Sequence, residues 1–283
     1  MYRDKNKASS DAFFRIRAAA VLCLVCVAAV ILGGCGRQPA AVSAETDDSN
    51  VIKVGCDNYS PFSYIDVDGN MTGIDVDLAT EAFGRMGYEP EFSIINWEEK
   101  KDLVDSGEID CIWSSFTMDG REDEYNWAGP YMQSHQVVAV NVNSSIRTLQ
   151  DLEDKTIAVQ STTKPEDIIR EHDGTLPQLR KVISVPKRDL IFILLSKGYV
   201  DALAAHDTSV DQFMAESGME FRILDEPLQT VGLGAAFSIN DDRGIEKELT
   251  ATLNDMREDG TTKKIISQYL SDADRYLEAE NGK

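Results

Sequence analysis

Basic residues, histidine and cysteine are all scarce in this 283-residue sequence. Lysine and arginine number 28 against 49 aspartates and glutamates, so the formal net charge is −21. Because nucleic-acid binding needs basic patches that contact phosphates, this balance makes nucleic acid a poor candidate for a partner. The three histidines and five cysteines show no metal-ligand spacing, so neither a metal site nor a cofactor is predicted.

Long apolar runs are also rare, and the one near the N-terminus is short for a membrane-spanning helix. Residues 18–32 are apolar and follow a basic stretch, which is the arrangement of a secretory signal peptide. The run leads into LGGC, which resembles the lipobox of bacterial lipoproteins. This resemblance implies removal of residues 1–34 and a lipid on Cys35 that anchors the chain at the membrane. A plain signal peptide or a signal anchor is the alternative interpretation.

The segment after Cys35 lacks the features of a folded domain. Residues 36–50 show neither periodicity nor large apolar side chains, so residues 35–50 are interpreted as a flexible tether. The folded part is predicted to begin near Val51 and to lie outside the cytoplasmic membrane, at the cell surface or in the periplasm. Export permits a disulfide between Cys56 and Cys111, although both lie in strand-like runs, where two buried thiols are the alternative.

Strand-like and helical segments alternate from Val51 onward. VIKVGCD at 51–57 and IDCIWSS at 109–115 are typical of short buried strands. Apolar residues at helical spacing predict a helix over 74–86, and Gly87 is expected to end it. Alternation of this kind predicts an α/β fold with parallel strands.

The second half repeats this plan. LVDSGEIDCIW at 103–113 and LLSKGYVDALA at 194–204 share a helix, glycine and strand pattern, which indicates two lobes of similar build. Ordinary helix-to-strand loops could give the same match. A strand at 231–242 and a helix at 244–260 do not fit the second repeat, so they are predicted to return to the first lobe. Ligands of such folds bind beyond the carboxyl ends of the strands, which places a site between the lobes.

Several motifs occur in a fixed order along the chain: VGCDNYSPFSY, GIDVDLATEAF, SGEIDCIWSSFTMDGRE, AGPYMQS, IAVQSTTK, YVDALAAHDTSVD, LGAAFSIND and DGTTKKIISQYL. With these motifs the chain resembles the extracellular solute-binding proteins of polar amino-acid ABC importers, from about Val51 to Leu270. The resemblance implies the type II periplasmic-binding-protein fold, which has two Rossmann-like lobes joined by two hinge strands. The predicted parts are lobe 1 (51–130 and 235–272), lobe 2 (136–229), the hinge (131–135 and 230–234) and a C-terminal tail (273–283).

The strand at 109–115 leads into hydroxyl side chains and then into Arg121. A guanidinium with neighbouring N–H groups is well suited to holding a carboxylate. In the family, the arginine after this strand binds the α-carboxylate of the ligand, and Ser115 and Thr117 would offer further donors. The family usually has glycine where Ser115 stands, and one more residue before the arginine. A solvated surface arginine is the alternative.

The loop QSTTK follows a strand and precedes a helix. A helix N-terminus presents unpaired N–H groups to an anion. Family members use this loop to complete the grip on the carboxylate from the second lobe, which assigns Gln160, Thr163 and Lys164 to the site. Helix capping by Thr163 and Glu166 is the structural alternative.

Five further positions are assigned through the resemblance. Asp207 matches the acid that pairs with the ligand ammonium, and His206 precedes it as in glutamine-binding members. Tyr59 and Trp97 match aromatic residues that hold the aliphatic part of the ligand. Asp57 would face the ligand side chain. A helix-cap aspartate and core aromatics are the alternatives for these residues.

These features predict a lipid-anchored, monomeric receptor that binds an amino acid, closes by hinge motion and docks on an ABC permease; it is not expected to be an enzyme. A polar ligand, uncharged or basic and with glutamine favoured, is expected because Asp57 would repel an acidic side chain. One alternative is an enzyme of the same fold, such as a dehydratase, with Asp57 or His206 as its acid or base. The other is an extracellular amino-acid sensor domain, which would need a membrane span or signalling domain after Leu270.

Overall fold

The computed structural model describes residues 50–171, 174 and 176–277. The predicted signal peptide, Cys35 and the tether up to residue 49 lie outside these residues. Within the described ranges, no helix combines the length and apolar character needed to cross a membrane.

Strands and helices alternate along most of the described chain. The strands are β1 (Val51–Cys56), β2 (Tyr64–Ile65), β3 (Met71–Thr72), β4 (Glu89–Ile94), β5 (Cys111–Thr117), β6 (Tyr125–Asn141), β7 (Thr156–Gln160), β8 (Lys181–Val185), β9 (Ala202–His206), β10 (Phe221–Ile223) and β11 (Gln229–Ser238). The helices are α1 (Ile74–Met86), α2 (Lys100–Ser106), α3 (Lys164–Glu171), α4 (Arg188–Ser196), α5 (Asp207–Ser217), α6 (Ile245–Glu258) and α7 (Thr261–Ile266). Short 3-10 helices cover Trp97–Glu99, Leu149–Leu152 and Asp274–Tyr276.

Local sequence explains where α1 ends. Gly87 follows the helix with φ 84°, a left-handed conformation that glycine adopts without steric cost. Its N–H and that of Tyr88 bond back to carbonyl oxygens of the last turn, which are otherwise unpaired at a helix end. The predicted helix over 74–86 is therefore confirmed.

Most strands form one sheet in the order β4-β1-β5-β11-β6-β9-β7-β8, with β10 added beside β6. β1 is parallel to β4 and β5, and β7 is parallel to β8 and β9, as the alternation predicts. The long strands β6 and β11 pair antiparallel with each other, and each is antiparallel to its outer neighbour. They continue from one half of the sheet into the other, and the predicted hinge segments 131–135 and 230–234 lie within them.

Separate apolar cores stabilise the two halves of the sheet. In lobe 1, Trp113 of β5 packs with Phe83 of α1 and Leu249 of α6. In lobe 2, Val159 lies in a cluster on one face of the sheet and Phe192 of α4 in a cluster on the other. Sequence-remote residues thus build the core of lobe 1, because α6 follows β11 back to it. Cys56 and Cys111 are buried free thiols in the core of lobe 1.

The predicted C-terminal tail needs a correction. Residues 274–276 form a 3-10 helix, and Ala273 and Tyr276 are buried in the core of lobe 1. The acidic stretch SDADRYLEAE contains too few apolar residues to show a periodic pattern, so its contribution to the core was not visible in the sequence. A tail that begins at residue 273 is therefore wrong for residues 273–277.

Candidate functional site

A small cavity lies between the lobes at the carboxyl ends of β5, β7 and β9. Its volume of about 30 Å³ accommodates one or two water molecules but not an amino acid. Lys100 of lobe 1 donates a hydrogen bond to Thr162 of lobe 2 beside it, so the lobes are in contact here. The cavity is lined by Trp97, Ser114, Ser115, Phe116, Thr117, Arg121, Gln160, Thr162, Thr163, Lys164, Pro165, Arg188, Ile191, Ala204, Ala205 and His206.

The structure brings most of the predicted site residues to this cavity. Trp97, Ser115, Thr117, Arg121, Gln160, Thr163, Lys164 and His206 line it. Asp57, Tyr59 and Asp207 do not line it. Arg188 lines the cavity although the sequence did not indicate it.

Arg121 is nearly buried and faces a carboxylate of the protein itself. Its Nη2 forms an ion pair with Asp167 Oδ2 of α3, on the opposite lobe. Its Nη1 donates to the Thr117 carbonyl oxygen at 3.4 Å, and its guanidinium carbon lies 5.2 Å from the centre of the Phe116 ring. A carboxylate group is therefore already placed against the guanidinium that was predicted to hold one.

Ser115 has an unusual backbone conformation at the cavity wall. Its φ is 49°, in the left-handed region that favours glycine. Its N–H donates to Asp75 Oδ2, so this N–H is not free for a ligand, contrary to the expectation above. Its hydroxyl oxygen is buried and has no hydrogen-bond partner among the described residues. Burial raises the pKa of Asp75 to about 7, although the hydrogen bond from Ser115 opposes this.

The loop before α3 is fixed by side chains of both lobes. The Thr162 N–H donates to Glu166 Oε2 at 2.7 Å, and Thr163 Oγ1 donates to the Gln160 carbonyl oxygen at 2.7 Å. Glu166 thus caps this helix end through Thr162. From lobe 1, Lys100 Nζ donates to the carbonyl and hydroxyl oxygens of Thr162, at 3.2 and 2.9 Å. Burial, with the nearby charge of Arg121, lowers the pKa of Lys100 to about 8.

The side chains of Asp57 and Tyr59 are covered by Arg188 at the start of α4. The Arg188 guanidinium carbon lies 3.3 Å from the centre of the Tyr59 ring, and its Nη2 lies 3.3 Å from Asp57 Oδ2. Gln160 Nε2 donates to the same oxygen at 3.1 Å. The predicted pair of aromatic residues is therefore not formed, since Trp97 lines the cavity but Tyr59 lies beneath Arg188.

His206 is a neutral residue of the cavity wall. Its Nδ1 lies 2.8 Å from Ser134 Oγ, within hydrogen-bond distance. Burial, followed by the nearby charge of Arg188, lowers the pKa of His206 to about 3.

Asp207 is directed away from the cavity. Its Oδ2 lies 3.1 Å from His135 Nδ1 and accepts from Arg275 Nη2 at 3.0 Å, and its Oδ1 accepts from the Thr208 N–H at 2.8 Å. These donors belong to a hinge strand, the C-terminal segment and the first turn of α5. The structure therefore does not place this carboxylate where a ligand ammonium in the cavity would meet it.

Comparison with known proteins adds a family and a fold. Residues 52–272 match the family described as bacterial extracellular solute-binding proteins, family 3. The chain is 30% identical over 251 residues to the putative amino-acid ABC transporter-binding protein PatH of Vibrio harveyi. The aligned region covers 87% of this chain and 95% of PatH.

Solved structures give the same architecture. An ArgBP variant from T. maritima is 26% identical with a TM-score of 0.70, and the match covers 78% of this chain and 96% of that one. A Streptococcus pneumoniae ABC uptake transporter substrate-binding protein with bound histidine is 21% identical with a TM-score of 0.73, covering 78% and 93%. These matches confirm the predicted α/β periplasmic-binding-protein fold.

Proposed function

Because the chain belongs to the family of bacterial extracellular solute-binding proteins, family 3, we propose that it captures a polar amino acid between its lobes and delivers it to an ABC permease. The V. harveyi relative is named a putative amino-acid ABC transporter-binding protein, and the structural match at 26% identity is an ArgBP. These names describe binding proteins, and the proposal includes no catalytic step.

The observation that carries the proposal is the buried guanidinium of Arg121 at the cavity. The Asp167 carboxylate already lies against it, which supports a role for this guanidinium in binding a carboxylate. In the proposed complex, the α-carboxylate of the ligand takes this place. The hydroxyl of Ser115 has no partner among the described residues and provides a further donor on one side of the cavity. The loop that carries Thr163 and Lys164 provides donors on the other side.

In this proposal the lobes separate to admit the ligand, because the cavity at Arg121 is smaller than an amino acid. Contacts between the lobes hold it closed: Lys100 with Thr162, Glu98 with Ser161, and Asp57 with Gln160. We assign the rotation to 131–135 and 230–234, where β6 and β11 pass between the lobes. Asp207 keeps its proposed role as the ammonium partner only if its carboxylate turns from His135 and Arg275 when the ligand binds.

We further propose that Cys35 carries a lipid and that the mature protein acts as a monomer at the extracytoplasmic face of the membrane. The LGGC motif and the basic and apolar residues before it support this assignment. The acidic net charge disfavours binding to nucleic acid.

The proposed function is tested by measuring the melting temperature of the purified protein in the presence of each of the twenty amino acids. A ligand that binds only the folded state raises the melting temperature, and the rise grows with the logarithm of the ligand concentration above Kd. At least one polar amino acid should do so, and calorimetry should give one bound molecule per chain. If none of the twenty amino acids shifts the transition or gives heat, the proposal is wrong.

A further inference from the structure

Arg188 occupies a position between the two lobes that the motifs did not indicate. It begins α4 of lobe 2, yet its guanidinium contacts Tyr59 and Asp57 of lobe 1. Its side chain is only 11% exposed, and it lines the cavity. A buried arginine at a cavity is costly unless its donors are used, because desolvated charges must be paired or hydrogen-bonded.

Two polar atoms at this end of the cavity have no partner among the described residues. Arg188 Nη1 is a buried donor without an acceptor, and Gln160 Oε1 is a buried acceptor without a donor. The two side chains lie close together, since Arg188 Nη2 and Gln160 Nε2 both approach Asp57 Oδ2, at 3.3 and 3.1 Å. Arg188 and Gln160, which both line the cavity, therefore carry one buried cationic donor and one buried neutral acceptor without partners among the described residues.

The charge of Asp57 is balanced here. The sequence analysis gave Asp57 the role of a carboxylate that repels acidic ligands and favours an uncharged polar ligand, such as glutamine, or a basic one. With Arg188 at 3.3 Å, the pair is close to neutral, and a second positive charge would meet the guanidinium. A basic ligand side chain is therefore disfavoured. An acidic side chain is attracted by Arg188 but repelled by the Asp57 carboxylate and the Gln160 Oε1.

We propose that Arg188 and Asp57 together determine specificity and select a ligand whose side chain ends in a primary amide. This inference rests on the proposed function and names the ligand class of the same site. The amide oxygen accepts from Arg188 Nη1, and the amide nitrogen donates to Gln160 Oε1, so both unpaired atoms are satisfied. A site built to hydrogen-bond a group discriminates against analogues that leave its buried polar atoms unpaired.

The test is calorimetry with glutamine, asparagine, glutamate, lysine and arginine on the wild type and two charge variants. The wild type should bind an amide at least about tenfold more tightly than lysine or arginine. Arg188→Met frees Asp57, so the affinity for lysine or arginine relative to the amide should rise at least about tenfold. Asp57→Asn leaves Arg188 unopposed, so glutamate should gain relative to the amide.

The matched control is Arg180→Met, which removes an arginine that is bonded to Thr156 at the opposite end of β7. It should leave the order of affinities unchanged. Thermal unfolding of each variant establishes that it is folded. If the Arg188 variant does not fold, the Asp57 variant tests the inference independently. The inference is overturned if basic amino acids bind the wild type as tightly as the amides do, or if neither variant changes the order. If no amino acid binds the wild type, the proposed function itself fails.

Discussion

The guanidinium of Arg121 and the carboxylate of Asp167 form an ion pair that joins the two lobes across the cavity. Arg121 follows β5 in lobe 1, whereas Asp167 lies in the first turns of α3 in lobe 2. The same guanidinium is the proposed partner of the ligand carboxylate. A ligand must therefore displace Asp167 or share the guanidinium with it, and the closed form without ligand is stabilised by a carboxylate of the chain itself.

Arg121→Ala should abolish amino-acid binding while leaving the fold intact. Removing one member of a charge-assisted pair in a desolvated site costs roughly 2–5 kcal/mol of binding free energy. Calorimetry with the best ligand measures this loss. Arg170→Ala, which removes a largely exposed arginine on α3, is the matched control. An unchanged affinity in the Arg121 variant would remove this residue from the site.

Asp167→Asn should increase ligand affinity several-fold. The substitution preserves the size of the side chain but removes the charge that competes for Arg121, so the ligand carboxylate has less to displace. Titration calorimetry measures the affinity of the variant. The control is Asp225→Asn, which neutralises an exposed aspartate of lobe 2 and makes the same change in net charge. A weaker affinity in the Asp167 variant would show that its carboxylate assists binding instead.

Lys100→Met should shift the unliganded protein toward an open form. Lys100 donates two hydrogen bonds from lobe 1 to Thr162 of lobe 2, and methionine cannot replace them. Small-angle X-ray scattering should show a larger radius of gyration for this variant. Lys101→Met is the control, because Lys101 contacts Asp105, Glu124 and the Tyr125 ring of the same lobe. Equal radii for both variants would mean that Lys100 does not hold the cleft closed.

The stability of the fold should depend on pH through Asp75. Its pKa is raised from 3.8 to about 7 in the folded protein, so between these values the folded state binds a proton that the unfolded state has lost. The contribution of Asp75 to the free energy of unfolding is therefore fully present below pH 4 and is lost as the pH rises through 7. The change is on the order of 4 kcal/mol.

Urea unfolding at pH 5 and pH 7.5 measures this dependence. Asp75→Asn, which cannot titrate, should lose less stability than the wild type between these two pH values. Asp225→Asn should behave like the wild type. If the Asp75 variant and the wild type show the same difference between the two pH values, the Asp75 carboxyl titrates normally in the folded state.

Cys35→Ser should release the protein from the membrane fraction, because the lipid that anchors it can no longer be attached. Fractionation followed by immunoblotting measures the distribution. Mass spectrometry of the wild-type N-terminus provides an independent measurement, and an unmodified peptide that begins elsewhere would contradict the assignment.

Local patterns predicted the elements that depend on neighbouring residues. VIKVGCD and the helix over 74–86 form β1 and α1 with nearly the expected limits, and Gly87 ends α1. The 17-residue strand β6 was not predicted along its length, because Gly129 and Pro130 interrupt its apolar pattern. It is held by pairing with β9, β10 and β11, which are distant in sequence.

In the candidate site, too, the sequence indicated residues in local motifs but not residues whose roles depend on distant contacts. The motifs indicated Arg121 and the loop at Gln160, since strand ends and helix starts are visible in the sequence. They did not indicate Arg188, which looks like an exposed residue at a helix start in VPKRDL. Its role depends on Asp57 and Tyr59, more than a hundred residues earlier, and no local pattern carries that relationship.

The contact between Arg275 and Asp207 limits how the two lobes can move. Arg275 belongs to the C-terminal segment that packs on lobe 1 through Tyr276, whereas Asp207 begins α5 of lobe 2. His135 of β6 approaches the same carboxylate. In the proposed opening, the C-terminal segment must either move with lobe 2 or release its ion pair with Asp207. The range of the proposed rotation would thus depend on a residue far in sequence from β6 and β11.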